Sequence, residues 1–169
     1  YTLTTLRLLL LVVLLLLTSL PRSKMFLIMV EGIPATQGSK TLYRGRMVEA
    51  SKKLPAWRSA ILLECKREFL RADGFVTFAQ PVRVEVTFYL PRPAKSKWAF
   101  VPAGKPDVDK LLRGVLDPLV IAGVLQDDSL VVEVVGRKLW TGNGNQPHPG
   151  ATIRIENYYD LIKPVLEVA

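Results

Sequence analysis

Two aspartate pairs, Asp107 with Asp109 and Asp127 with Asp128, are the residues whose type and spacing best suit chemistry. Asp107-Val108-Asp109 follows Lys105-Pro106, where proline disfavours helix at Lys105 and brings the chain in extended. In an extended segment residues i and i+2 point the same way, so both carboxylates can face one point in space. The same pair also reads as a helix N-cap followed by a first-turn acid, which the macrodipole favours. Asp127-Asp128 begins the return from that helix. Carboxylates converging from two elements repel unless a cation compensates them, and hard oxygen donors suit Mg²⁺ or Mn²⁺ over zinc. Neighbours on a strand face opposite sides, so only one of Asp127 and Asp128 is expected to be a direct ligand. Arg113 lies four residues after Asp109 and four before Asp117. It is either a rung of an i, i+4 ion-pair ladder or a cation that meets charge building on a phosphate. Carboxylates, a divalent metal and a nearby cation suit phosphodiester hydrolysis, which needs no histidine. The chain has one histidine and one cysteine, which excludes His- or Cys-rich metal sites and an internal disulfide.

The elements that must position these groups follow from apolar periodicity. Met25 to Ile33 reads as a strand closed by Gly32 and Pro34, and Gln37 to Lys53 as a basic loop or loose hairpin. Leu54 to Leu70 reads as a helix whose stripe is Leu54, Trp57, Ile61, Cys65 and Phe69, with Cys65 a small core residue. Val82, Val84, Val86 and Phe88 alternate with polar residues as a half-buried strand. A second basic loop, rich in proline, follows. Val108 to Val120 carries apolar residues at helical spacing, with Pro118 expected to end or bend that helix. Leu130 to Trp140 and Ala151 to Glu156 read as strands, separated by a Gly/Asn/Pro turn that exposes His148. The order implies an α/β (α+β) fold, one layer of mixed β-sheet with helices packed on it.

At 169 residues the chain favours one domain, and 49% hydrophobic against 22% charged excludes disorder over most of it. Residues 1–24 stand apart. Leu8 to Leu17 is an unbroken Leu/Val run, too short to span a bilayer, and a different composition begins at Met25. A secretory leader, a short anchor and translated sequence upstream of the true start all fit; the last is favoured, with the domain at 25–169. The leader holds three cations and no acid, so the formal charge outside it falls from +8 to +5. A moderate positive excess suits a polyanionic partner. Lys40, Arg44, Arg46, Lys52 and Lys53 in the first basic loop and Arg92, Lys95 and Lys97 in the second are candidate phosphate contacts, with Lys105 and Lys110 beside the acids.

The stretch Lys105 to Asp117, followed by Ala122 to Ser129, closely resembles the RusA-type Holliday junction resolvases of bacteria and their phages. Glu31-Gly32-Ile33-Pro34 with Gln37-Gly38, Val86 to Pro93, and Lys138 match in the same order. The resemblance, running from about Met25 to about Asn157, implies a homodimeric, Mg²⁺- or Mn²⁺-dependent endonuclease that nicks four-way branched DNA symmetrically during recombination and repair. It implies catalytic, metal-binding roles for Asp107, Asp109 and Asp128, with Asp127 and Lys138 behind them, and a cytoplasmic setting with no membrane partner for 25–169. The family's lysine four residues after the second acid is Arg113 here, a planar fork in place of a compact ammonium. Its usual asparagine is Lys110, and its usual small residue is Pro118. The rival readings are a branched-DNA-binding protein with weakened catalysis, a DxD transferase, a phosphatase with a nucleophilic aspartate, and a secreted or anchored protein. Phe100 to Pro106, broken by Pro and Gly, lacks the apolar strand that the transferase and phosphatase would want.

Overall fold

The structure, a computed structural model, describes residues 25–38, 40–43, 46–49, 51–72, 75, 77–142 and 146–166. The leader 1–24 and Arg44 lie outside the described residues, and for Lys40 and Arg46 only the backbone is described. Strand β1 (Met25–Glu31) alternates exposed and buried positions along its whole length. Strands β2 (Lys40–Tyr43) and β3 (Arg46–Glu49) form a separate antiparallel hairpin, as the basic loop reading allowed. Helix α1 (Leu54–Arg71) has Pro55 in its first turn, and its buried residues are Leu54, Trp57, Ile61 and Cys65. Burial pushes the Cys65 thiol up to about 12, with Glu64 adding to the rise, so it is a neutral core residue at physiological pH.

Strand β4 (Val82–Leu90) buries Val82, Val84, Val86, Phe88 and Leu90 on one face. After the second basic loop come α2 (Val108–Ile121), a short 3₁₀ turn (Asp128–Leu130), β5 (Val131–Trp140) and β6 (Gly150–Asn157). The four long strands form one mixed sheet in the order β1-β6-β4-β5, in which only β4 and β5 are parallel. Helices α1 and α2 pack on each other over the sheet, α1 against β1 and α2 against β5. Between them lies a core of Phe26, Ile28, Val30, Trp57, Ile61, Leu111, Val115, Leu119, Ile153 and Ile155 among others. Each fully buried aliphatic side chain contributes about 1.5–3 kcal/mol. The fold is therefore α+β, as expected. Among the described residues no helix is long and apolar enough to cross a membrane.

Two local expectations need correction, and one further helix was not anticipated. Helix α2 does not stop at Pro118 but runs on to Ile121, with the Ala122 amide donating to the Pro118 carbonyl. Pro118 is buried, and it lacks the amide that would otherwise donate to the Gly114 carbonyl. Asp127 and Asp128 precede the strand: Asp127 caps the 3₁₀ turn and Asp128 opens it, so strand alternation does not apply to them. Helix α3 (Tyr158–Leu166) follows β6 directly, with the Asn157 side chain accepting from the Tyr159 amide. The segment is apolar enough for a helix, but it is short and carries Pro164, which argues against one when the sequence is read alone.

Parallel strands joined through a helix make that helix run antiparallel to both. The N-terminus of α2 accordingly sits over the later part of β5, at Gly136. A Cβ there would come within 2.9 Å of Val108 Cγ2 and 3.0 Å of Leu112 Cδ1. Gly114 plays the same part on the other side of the helix, where a Cβ would meet the Ala35 carbonyl oxygen at 2.6 Å. Glycine at these two places lets α2 approach β5 and the loop after β1.

Candidate active site

Asp107 is the residue before α2, with extended backbone (φ −71°, ψ 136°), and its side chain makes no capping hydrogen bond. The carboxylate turns instead to Lys110, whose Nζ lies 3.0 Å from Oδ2. That hydrogen bond and the Lys110 charge hold Asp107 below the usual carboxylate range, with Lys105 and Lys138 adding to them against a partial desolvation. Asp109 lies exposed in the first turn of α2. The segment leading to Asp107 is pinned from β5. Lys138 Nζ donates to the carbonyls of Gly104 at 2.7 Å and Pro106 at 2.9 Å. Across from it the Gln37 amide donates to the Lys110 carbonyl at 2.9 Å. Thr36, Lys105, Pro106, Asp107 and Lys110 line a shallow recess of about 340 Å³.

The ion-pair ladder through Arg113 does not form among the described residues. Asp117 is taken by Arg58 at 2.6 Å and by the Gln37 amide nitrogen at 2.8 Å, while Arg58 also donates to the Gln37 side-chain oxygen at 2.7 Å. Arg113 is exposed, and its guanidinium lies beside Gly38, where a Cβ would be 3.3 Å from Nη1. It has no acid partner among the described residues. The Arg58–Gln37–Asp117 network ties α1, the loop after β1 and α2 into one unit. Sequence reasoning missed Arg58, because its partners lie far away along the chain.

Asp128 is placed elsewhere. It is exposed and shares a second recess with Asp117, Val120 and Ile121, near the C-terminal end of α2. Ten helical residues separate Asp107 from Asp117, about 15 Å along the axis. Among the described residues no group of three or more His, Cys, Asp or Glu side chains gathers to hold a metal ion. Within one chain Asp128 thus stands apart from Asp107 and Asp109, because α2 runs antiparallel to β5 and the start of that strand lies at the helix's far end. Asp127 accepts from the Ser129 amide at 2.8 Å, and hydrogen bonding from the Ser129 side chain, with that amide bond, holds its carboxyl low. It is occupied in shaping the turn, which leaves Asp128 as the available member of the pair.

The donor set can be weighed against the divalent metal on this geometry. Asp107 and Asp109 are hard oxygen donors of the right kind, one of them held ionised, but among the described residues one chain supplies only these two at the start of α2. The candidate phosphate contacts Lys52, Lys53, Arg92, Lys95, Lys97 and Lys105 are all exposed, whereas Lys110 is half-buried and engaged with Asp107.

The fold and the recess define an α+β protein that presents the Asp107 carboxylate between Lys105 and Lys110. Residues 31–156 match the family model described as endodeoxyribonuclease RusA, and the chain belongs to the RusA endodeoxyribonuclease family. The family is one of enzymes that cut DNA. Comparison with curated proteins gives no match.

Proposed function

We propose that the chain is a Holliday junction resolvase, a divalent-metal-dependent endonuclease that acts as a homodimer on four-way branched DNA in the cytoplasm of a bacterium or of a phage-infected cell. The observation that carries this reading is the end of α2. There Asp107 declines its capping role, is held ionised by Lys110, and stands beside Asp109 below an acid-free basic loop. Mg²⁺ or Mn²⁺, when bound, would neutralise the phosphate and acidify an attacking water. The chain's own residues do the rest. Asp107, Asp109 and Asp128 are the proposed ligands and Arg113 faces the charge that builds on the phosphate. Lys138 holds the Gly104 to Pro106 segment in place, and exposed Lys and Arg hold the DNA arms.

The split between Asp107 and Asp128 supports a site completed by a second copy. The two residues sit at opposite ends of the paired α2 and β5. A two-fold axis beside that pair exchanges the ends and brings Asp128 of one copy toward Asp107 and Asp109 of the other. Two equivalent sites result, separated by about 20 Å, the length of α2. Two such sites suit paired nicks in opposed strands of a roughly two-fold junction.

Incubation of the protein with a labelled synthetic four-way junction, with and without Mg²⁺, tests the reading. Paired symmetric nicks that need the metal are expected, and their absence together with absence of binding would overturn it. The pairing of Lys110 with Asp107 is the one observation that favours the rival, a junction binder with weakened catalysis. Tight junction binding without nicks would select that rival.

A further inference from the structure

The loop between β4 and α2 carries a feature that phosphate chemistry leaves unused. Residues 91–106 hold Arg92, Lys95, Lys97 and Lys105 and no acid. Amid these cations Phe100 is 86% exposed, Trp98 48% and Val101 50%. The loop is nonetheless anchored. Trp140 Nε1, at the end of β5, donates to the Trp98 carbonyl at 3.1 Å, and Lys138 holds Gly104 and Pro106. Ser96 Oγ also donates to the Trp98 carbonyl, and Lys97 Nζ lies 5.3 Å from the Trp98 ring centroid. Pro91, Pro93, Pro102 and Pro106 stiffen the chain further. An anchored loop therefore presents two aromatic rings to solvent, both at the end of the molecule where Asp107 lies. Phe100 is seven residues from Asp107, within about 25 Å even for a fully extended chain.

We infer that Phe100, supported by Trp98, is a specificity-determining residue that stacks on a base whose face is freed where the DNA strands exchange. This rests on the junction reading above and names the feature of the substrate that is recognised. The four cations select a nucleic-acid partner by charge, and the rings select among nucleic acids by shape. In linear duplex the flat faces of the bases are stacked inside, leaving only edges and phosphates for a protein to touch. At a branch point, pairs are readily unstacked, and an aromatic ring can take the place of the lost neighbour. A ring that stacks contributes nothing to duplex binding and raises the preference for branched DNA. Deeper burial in the protein core would serve stability better than this exposure, so the rings are placed for a partner.

The test measures dissociation constants of the full chain for a four-way junction and for linear duplex of the same sequence, in EDTA so that cutting does not intervene. Phe100→Ala is expected to weaken junction binding about 5- to 150-fold, the range for one lost base stack, and to leave duplex binding within about twofold. Phe100→Tyr is expected to retain the preference, and Phe100→Leu, apolar but without a ring, to lose it. A 2-aminopurine at the branch point is expected to change its fluorescence with the wild-type protein and with Phe100→Tyr but not with Phe100→Ala. Equal losses on both DNAs, a Leu variant as selective as wild type, or an unchanged Phe100→Ala would overturn the inference while leaving a wild-type junction preference intact. A wild-type protein with no preference for the junction would overturn the junction reading and this inference together. Phe100 is almost fully exposed, so folding of the variants is not in question.

Discussion

Lys110, like Arg113 and Pro118, departs from the pattern the chain resembles, and its Nζ rests on the carboxylate a metal would need. An ammonium three residues along a helix pairs with Asp107 in the free protein, so a divalent cation bound at that oxygen would first have to displace it. Lys110→Asn is expected to lower the Mg²⁺ concentration for half-maximal cleavage by roughly two- to fivefold, the scale of an exposed ion pair. The same substitution has a pH signature of known sign. Lys110 supplies the largest pull on Asp107, holding the carboxyl below its usual range, and removing it lets the proton return at higher pH. The acid limb of the pH–rate profile should therefore move up in Lys110→Asn. A metal requirement and an acid limb both unchanged from wild type would show that Lys110 does not compete for Asp107. Residue types, then, were enough to nominate Asp107 and Lys110. That one binds the other, and that Asp107 leaves its helix uncapped, depends on side-chain directions that a linear pattern does not contain.

At the scale of elements, the placement of α2 decides whether that chemistry is available. Gly136 lets Val108 and Leu112 rest directly on β5, and Lys138, two residues on, holds the segment that delivers Asp107. Gly136→Val would drive a side chain into both contacts and lift the first turns of α2. It is expected to cost about 1–3 kcal/mol by denaturant unfolding and to reduce cleavage far more than DNA binding, since the exposed cations stay in place. Equal losses of binding and cleavage would show that α2's seat on β5 does not control the site. The strands and both long helices were legible in the sequence because alternation and the 3.6-residue stripe are direct records of which face is buried. Val82 to Phe88 and Leu111 to Leu119 are cases of this. The position of Asp128 was not legible, because it depends on β4 and β5 being parallel neighbours, a long-range pairing that local periodicity does not encode. The Arg58–Gln37–Asp117 network escaped for the same reason, and with it the diversion of Asp117 away from Arg113.

For the molecule as a whole, the distance between Asp107 and Asp128 makes the state of assembly part of the catalytic question. If each site takes Asp107 and Asp109 from one copy and Asp128 from the other, Asp107→Asn and Asp128→Asn should each abolish cutting while leaving junction binding intact. Mixed dimers of the two variants are then informative. One of their sites carries both substitutions and the other carries neither, because the intact Asp128 of the first variant meets the intact Asp107 of the second. Random exchange gives such dimers half of the population with one of two sites whole, so nicking should recover to about a quarter of wild type. The products should be single nicks in place of paired ones, since the symmetric partner site is dead. A site built within one chain gives the opposite result, as every site in every mixture then carries a substitution and no cutting returns. The mixing experiment thus separates a shared site from a self-contained one, with each variant alone serving as its own inactive control.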